Sequence, residues 1–131
     1  MTIRNESGEY ITITLGPLHS EAWVEYEIHV EAEVGFIKAG METYAWASAL
    51  RELFERLSKA DRTVSGEIFI EQFSYEHDFD LRFTYDGLGH VEVVSTLRGH
   101  GEFYNRCTVS FATDQTFMAT FLQEMQKELG I

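Results

Sequence analysis

The clearest pattern in the chain is an alternation of apolar and polar residues between Ala22 and Val34. Apolar side chains occupy the even positions. The odd positions carry Trp23, Glu25, Glu27, His29, Glu31 and Glu33. Because successive side chains of a β-strand point to opposite faces, the pattern predicts a strand with one buried face and one exposed, acidic face.

Shorter alternating segments predict six further strands, because each is rich in β-branched and aromatic residues and is bounded by turn residues. They lie at about Ile11–Leu15, Phe36–Met41, Glu67–Phe73, Phe79–Tyr85, Val91–Leu97 and Tyr104–Ala112. We expect Gly16 and Pro17 to end the first of these strands. The segment Asp86–Gly89 is typical of a hairpin turn, and Gly99–Gly101 is expected to end the strand that follows it.

Two segments have a helical period instead. Between Thr43 and Lys59, apolar residues recur at intervals of three and four, which predicts an amphipathic helix with Thr43 as its N-cap. Glu52 and Arg56 form an i,i+4 pair in the favourable order on this helix. A second helix is predicted to begin at Asp114, another N-cap residue. Its buried stripe would consist of Met118, Phe121, Leu122, Met125 and Leu129.

The predicted order of elements is βββα followed by ββββα, with short connections. This order favours an α+β fold in which a single antiparallel sheet of about seven strands carries both helices on one face. A chain of 131 residues is enough for one core, so we expect a single domain over residues 1–131. Ala39–Tyr44 resembles Ala112–Phe117 in sequence, which leaves an internal duplication open as an alternative.

Charge narrows the partners that can be expected. The chain has 22 acidic and 10 basic residues and a formal net charge of −12. Such a charge repels phosphate backbones and anionic lipid, so we expect neither nucleic-acid nor membrane binding. Cys107 is the single cysteine, so an intramolecular disulfide is excluded, and a reducing, cytoplasmic location is expected.

No motif predicts catalysis. His29 lies between Glu27 and Glu31 at a spacing that could approach a metal ion, but a solvated sheet face explains all three residues. Cys107 is expected on an inward strand position, without the base that a nucleophilic thiol needs. The glycines of Asp86–His90 join two strands rather than leading into a helix N-terminus. We therefore predict no catalytic residue, no cofactor and no metal site.

One surface stands out as a candidate for binding. If the helices cover the apolar face of the sheet, the opposite face is predicted to carry Trp23, Glu25, Glu27, His29, Glu31, Glu33, Asp80 and Glu92. Solubility alone would explain such a face. The sharper hypothesis is a docking surface for a basic protein, since long-range attraction speeds association and selects against acidic competitors.

Four segments carry a family resemblance. They are Gly35-Phe36 after the long strand, the helical segment Leu50–Leu57, the hairpin Gly87–Val91 and the helix start Asp114–Phe117. In this order, which covers most of the chain, they resemble the WapI-type immunity proteins that accompany polymorphic bacterial toxins. The resemblance implies an α+β protein that binds and blocks a cognate toxin domain without catalysis. It transfers no functional residue.

Three classes of function stay open at this point. An inhibitor of a nuclease toxin would gain from negative charge, because a nuclease cleft must be basic. A small-molecule-binding or enzymatic domain would need a concave apolar pocket. An oligomeric scaffold, for example a homodimer, would pair through a strand edge or a helix face. The segments Ser58–Gly66 and Gly99–Glu102 are rival contact regions to the acidic strand face.

Overall fold

The computed structural model describes residues 1–99 and 105–131, which form eight strands and two helices in the order ββββα-ββββα. The first half contains β1 (Thr2–Arg4), β2 (Tyr10–His19), β3 (Glu25–Val34), β4 (Ile37–Trp46) and α1 (Ala47–Thr63). The second half contains β5 (Ser65–Ile70), β6 (Phe79–Asp86), β7 (His90–Arg98), β8 (Arg106–Asp114) and α2 (Gln115–Leu129). In these described ranges, no helix is both long and apolar enough to span a membrane.

The α+β class is confirmed, but the prediction of one seven-stranded sheet is wrong. The strands form two four-stranded antiparallel sheets, a first sheet β1-β2-β3-β4 and a second sheet β5-β6-β7-β8. Each is a meander in which neighbours in sequence are neighbours in space. The two sheets are divided at α1, which connects β4 to β5.

One hydrophobic core joins both sheets and both helices. The inward rows of the strands and the apolar stripes of the helices supply its fully buried side chains, including Ile11, Ile13, Val30, Leu50, Leu53, Leu57, Leu81, Phe83, Val91, Val93, Met118, Phe121 and Met125. Two predicted members of the α2 stripe, Leu122 and Leu129, are partly buried against this core. The alternation in the sequence therefore predicted most inward positions correctly, although it did not show how the strands are divided between sheets. It was wrong at Ala22–Val24, which the sequence placed in the long strand: these residues precede β3, and Val24 is 53% exposed.

The strand β2 does not end at Gly16 and Pro17 as predicted. It continues to His19 across a β-bulge, since Leu15 lies opposite Ile28 and Leu18 opposite Tyr26. Two residues of β2 thus face one residue of β3 at this point. A bulge accommodates proline within a strand, because one ladder position is left without a hydrogen bond.

The junction between β4 and α1 also differs from the prediction. Thr43 is not an N-cap but a buried residue of β4, and its hydroxyl donates a hydrogen bond to the carboxylate of Asp78. The N-cap residue is Trp46, which makes no side-chain capping bond. Further along, α1 reaches Thr63, so the segment that was expected to form a loop after Lys59 is helical up to Thr63. The pair of Glu52 and Arg56 is confirmed, with oxygen and nitrogen 3.5 Å apart.

The β6–β7 hairpin is confirmed. Gly87 and Gly89 have φ values of 85° and 94°, a region that glycine adopts without strain. The carboxylate of Asp86 accepts hydrogen bonds from the N–H groups of Leu88 and His90 at 2.7 and 3.1 Å. The bond from Leu88 is the main cause that lowers the pKa of Asp86. The predicted strand start at Tyr104 and most of the predicted loop Gly99–Glu102 lie outside the described residues.

Candidate functional site

The outer face of the first sheet is built from cross-strand pairs that start on β3. Residues that face each other in an antiparallel pair lie on the same side of the sheet. Glu27 faces Tyr44 of β4, and His29 faces Glu42. We call this surface the acidic face and define it by the residues Glu25, Glu27, His29, Glu31, Glu33 and Glu42.

Sequence reasoning missed Glu42, because the predicted third strand ended at Met41. The alternation continues in the sequence, with Thr43 and Ala45 on the inward side, and this signal could have placed Glu42 on the outer side. Its side chain is 82% exposed. The acidic face thereby gains a fifth glutamate on a second strand.

Several carboxylates of the acidic face are held by neighbouring side chains. Nδ1 of His29 lies 2.9 Å from the carboxylate of Glu42, and Nε2 of the same ring lies 3.8 Å from Glu31. Nε2 of His19 lies 3.4 Å from the carboxylate of Glu27. These contacts restrict the rotamers of the carboxylates, while the glutamate side chains stay accessible to solvent.

Tyr10 on β2 fixes the other end of the face. Its hydroxyl donates a hydrogen bond to Glu31 at 3.0 Å, and Glu33 lies 3.3 Å from the same oxygen. The hydrogen bond to Glu31, together with burial and the two negative charges, raises the pKa of Tyr10 to about 12. A neutral phenol is therefore maintained against the carboxylates at physiological pH.

The structure brings five of the eight predicted site residues together on the acidic face, namely Glu25, Glu27, His29, Glu31 and Glu33. Trp23 lies at one end, in the connector before β3, and is 58% exposed. Asp80 and Glu92 belong to the second sheet and are not part of this face.

Asp80 departs from the prediction in a second way, because it is buried rather than exposed. Its carboxylate accepts a hydrogen bond from Arg98 at 2.9 Å and another from the N–H of Thr96 at 3.1 Å. Nearby on the same sheet, Nε of Arg82 lies 3.6 Å from the carboxylate of Glu67. Arginines thus balance carboxylates on the outer side of the second sheet, which is why this side is not an acidic surface.

Two other predictions about chemistry concern metals and the lone thiol. Within residues 1–99 and 105–131, no group of three or more histidine, cysteine, aspartate or glutamate side chains is arranged to hold a metal ion. Cys107 is half-buried on β8 next to the core.

The fold and the acidic face together define an acidic α+β protein with a carboxylate-rich outer sheet surface. The model of the Immunity protein WapI-like family matches residues 2–131. The chain therefore belongs to the WapI-like immunity protein family, which confirms the resemblance found in the sequence and points to a role in toxin immunity, with a toxin as the partner. Comparisons with curated proteins and with solved structures gave no match.

Proposed function

We propose that this chain is a non-catalytic immunity protein that binds a basic toxin domain through its acidic face and thereby neutralises the toxin. The observation that carries the proposal is the clustering of five glutamates on the outer side of one sheet, in a member of an immunity protein family. Arg4 and Lys38 are the cations paired across this side of the sheet, so the negative charge is only partly compensated.

A basic partner follows from electrostatic complementarity. A carboxylate-rich surface on a chain with a net charge of −12 attracts cationic surfaces over about a Debye length and repels anionic ones. A nuclease toxin is the partner that best fits, because its substrate cleft must be positively charged to hold a polyanion. An acidic protein that covers such a cleft excludes the substrate without any chemical step.

The side-chain contacts within the face support binding rather than solubility alone. Tyr10 holds Glu31, and His29 holds Glu42, before any partner arrives. Side chains that are already ordered lose less conformational entropy when a complex forms.

The proposal is tested with the C-terminal domain of the polymorphic toxin whose gene adjoins the gene for this chain. We expect co-expression in the cytoplasm to rescue growth, and the two purified proteins to form a stable complex. The toxin domain should cleave RNA or DNA when alone and lose this activity in the complex. If no complex forms and growth is not rescued, the immunity role is wrong, and the small-molecule-binding and scaffold alternatives take its place.

A further inference from the structure

Three large exposed aromatic side chains gather at the Trp23 end of the acidic face. Trp23 is 58%, Tyr44 40% and Tyr75 78% exposed. They come from three separate parts of the chain, namely the connector before β3, the strand β4 and the connector between β5 and β6. Tryptophan and tyrosine are the residues that most often anchor protein interfaces, so their convergence beside the acidic face points to a contact site.

These aromatic residues line a cleft of about 490 Å³, which we call the aromatic cleft. Its lining consists of Trp23, Glu25, Tyr44, Ser74, Tyr75 and Glu76. A second cleft of about 300 Å³ adjoins it and shares Trp23, Glu25 and Tyr44. Carboxylates of Glu21 and Glu27 line this second cleft. The acidic face therefore runs directly into the aromatic cleft.

Backbone hydrogen bonds from the start of α1 hold both walls of the aromatic cleft in place. The N–H of Trp46 donates a hydrogen bond of 2.7 Å to the carbonyl oxygen of Phe73, next to Ser74 in one wall. The N–H of the following residue, Ala47, donates a bond of 2.9 Å to the carbonyl of Val24, next to Trp23 in the other wall. Two consecutive backbone donors thus hold two distant connectors, so the cleft is formed before a ligand binds.

The charged residues that line the two clefts favour a positively charged ligand. Among the described residues, the two linings contain four glutamates, namely Glu21, Glu25, Glu27 and Glu76, and no lysine or arginine, while His19 contributes an imidazole. Aromatic faces attract cations through the negative charge of the ring surface, and carboxylates attract them directly. A cationic group therefore satisfies both requirements.

The second sheet contains this same combination within the chain. The guanidinium of Arg82 lies over the ring of Phe69, 4.3 Å from its centroid, and Nε of Arg82 lies 3.6 Å from the carboxylate of Glu67. An aromatic ring and a carboxylate therefore bind one arginine side chain in this fold. The aromatic cleft offers the ring and the carboxylate, but the part of its lining that the structure describes contains no arginine.

We propose that the aromatic cleft binds an arginine side chain of the toxin domain. The guanidinium stacks against Trp23 or Tyr75 and donates hydrogen bonds to the carboxylates of Glu25 and Glu76. Arginine is favoured over lysine because its planar group can stack on a ring and bond a carboxylate at the same time. The identity of the partner rests on the proposed function, whereas the preference for a guanidinium rests on the cleft alone.

The first test uses a peptide probe and does not need the toxin. Isotope-labelled chain is titrated with acetyl-Gly-Arg-Gly-amide and, as the uncharged isostere, with acetyl-Gly-citrulline-Gly-amide, while the indole N–H signals of Trp23 and Trp46 are followed by NMR. We expect the arginine peptide to shift the Trp23 signal and the citrulline peptide to bind about tenfold more weakly, since the charge is lost. Equal binding of both peptides, or shifts confined to other residues, would overturn the proposal.

Matched variants locate the binding site. Tyr75→Ala and Glu76→Gln should each weaken binding of the arginine peptide by about three- to tenfold. Phe36→Ala removes an aromatic residue that is 99% exposed on another turn, and Glu55→Gln removes an exposed carboxylate from α1; both should leave binding unchanged. Equal effects of the cleft variants and the controls would show that the cleft is not the site.

The second test uses the toxin domain and separates this proposal from the proposed function. Tyr75→Ala should weaken the complex by about tenfold or more if the cleft holds an anchor residue, and Phe36→Ala should not. A toxin complex that Tyr75→Ala leaves at full strength would reject the aromatic cleft while the immunity role stands. A chain that fails to bind the toxin but still prefers the arginine peptide would reject the immunity role while the cleft stands.

Discussion

Asp114 shows how one side chain sets the start of an element. One of its carboxylate oxygens accepts hydrogen bonds from the N–H groups of Thr116 and Phe117 at 2.9 and 3.2 Å. The sequence predicted this N-cap correctly, because the residue type, the preceding strand and the following apolar stripe agree with one another.

The cap leads to a prediction about stability. Asp114→Ala should lower the free energy of unfolding by about 1 kcal/mol, since two donors at the start of α2 lose their acceptor. Asp114→Asn keeps an acceptor oxygen and should cost clearly less. Urea unfolding of both variants measures the difference, and equal losses would mean that the charge rather than the cap is responsible.

Asp80 shows what the alternation of a strand does not determine. The pattern in β6 places Asp80 on the outer side of its sheet, as it places Glu27 on the outer side of the first sheet. Exposure is decided by residues distant in sequence, since Arg98 and Thr96 on β7 bind the Asp80 carboxylate. The face of a residue could thus be predicted, whereas its burial required knowledge of the tertiary contacts.

At the scale of elements, the faces of the strands were predictable and their partners were not. The strand β1 has only three residues, of which Ile3 alone is fully buried. Such a short strand cannot show an alternation in the sequence. Alternation is the same whether a strand belongs to one large sheet or to a small one. The division into two sheets falls at α1, between β4 and β5, and no alternation within a strand marks it.

The order ββββα occurs twice in the structure, which bears on the internal duplication left open by the sequence. The two segments that suggested it are not equivalent, however. Ala39–Tyr44 lies within β4, whereas Ala112–Phe117 spans the junction between β8 and α2. The order of elements is therefore repeated, but the similarity between the two six-residue segments is not evidence for this repetition.

The contact between β2 and β3 predicts a pH dependence. The pKa of Tyr10 is raised from 10.0 to about 12, first by its hydrogen bond to Glu31. Because the folded pKa exceeds the unfolded one, the contribution of this pair to stability is complete below about pH 10 and is lost as the pH rises toward 12.

Glu31→Gln should lower the pKa of Tyr10 toward its ordinary value, because the charged acceptor is removed. The ring signals of Tyr10, followed by NMR during an alkaline titration, measure this change. Glu42→Gln is the matched control, since it removes a charge from the same face without touching Tyr10. A pKa that is the same in the Glu31→Gln variant and the parent would contradict the assignment.

At the scale of the whole molecule, the shared core predicts cooperative unfolding. Ile28 of the first sheet, Leu53 of α1 and Phe83 of the second sheet belong to one hydrophobic cluster. We therefore propose that the chain behaves as a single domain and predict one unfolding transition. Calorimetry should give equal calorimetric and van't Hoff enthalpies; two separate transitions would show that the halves fold independently.

The charge distribution predicts how fast the complex forms. Glu27→Lys combined with Glu42→Lys should slow association with the toxin domain by about tenfold or more at low salt, because charges at the rim of an interface act mainly on the association rate. It should also flatten the salt dependence of that rate. Glu31 is left unchanged because it accepts the hydrogen bond of Tyr10, so its reversal would disturb the fold as well.

The control for this variant is Glu55→Lys combined with Glu92→Lys, which changes the net charge equally at exposed positions of α1 and the second sheet. We expect a much smaller effect on association, since these residues are outside the acidic face. Stopped-flow measurements at several salt concentrations compare the two variants. If both double variants slow association equally, net charge alone causes the attraction. If neither variant changes the association rate, the interface lies elsewhere, for example at Ser58–Gly66.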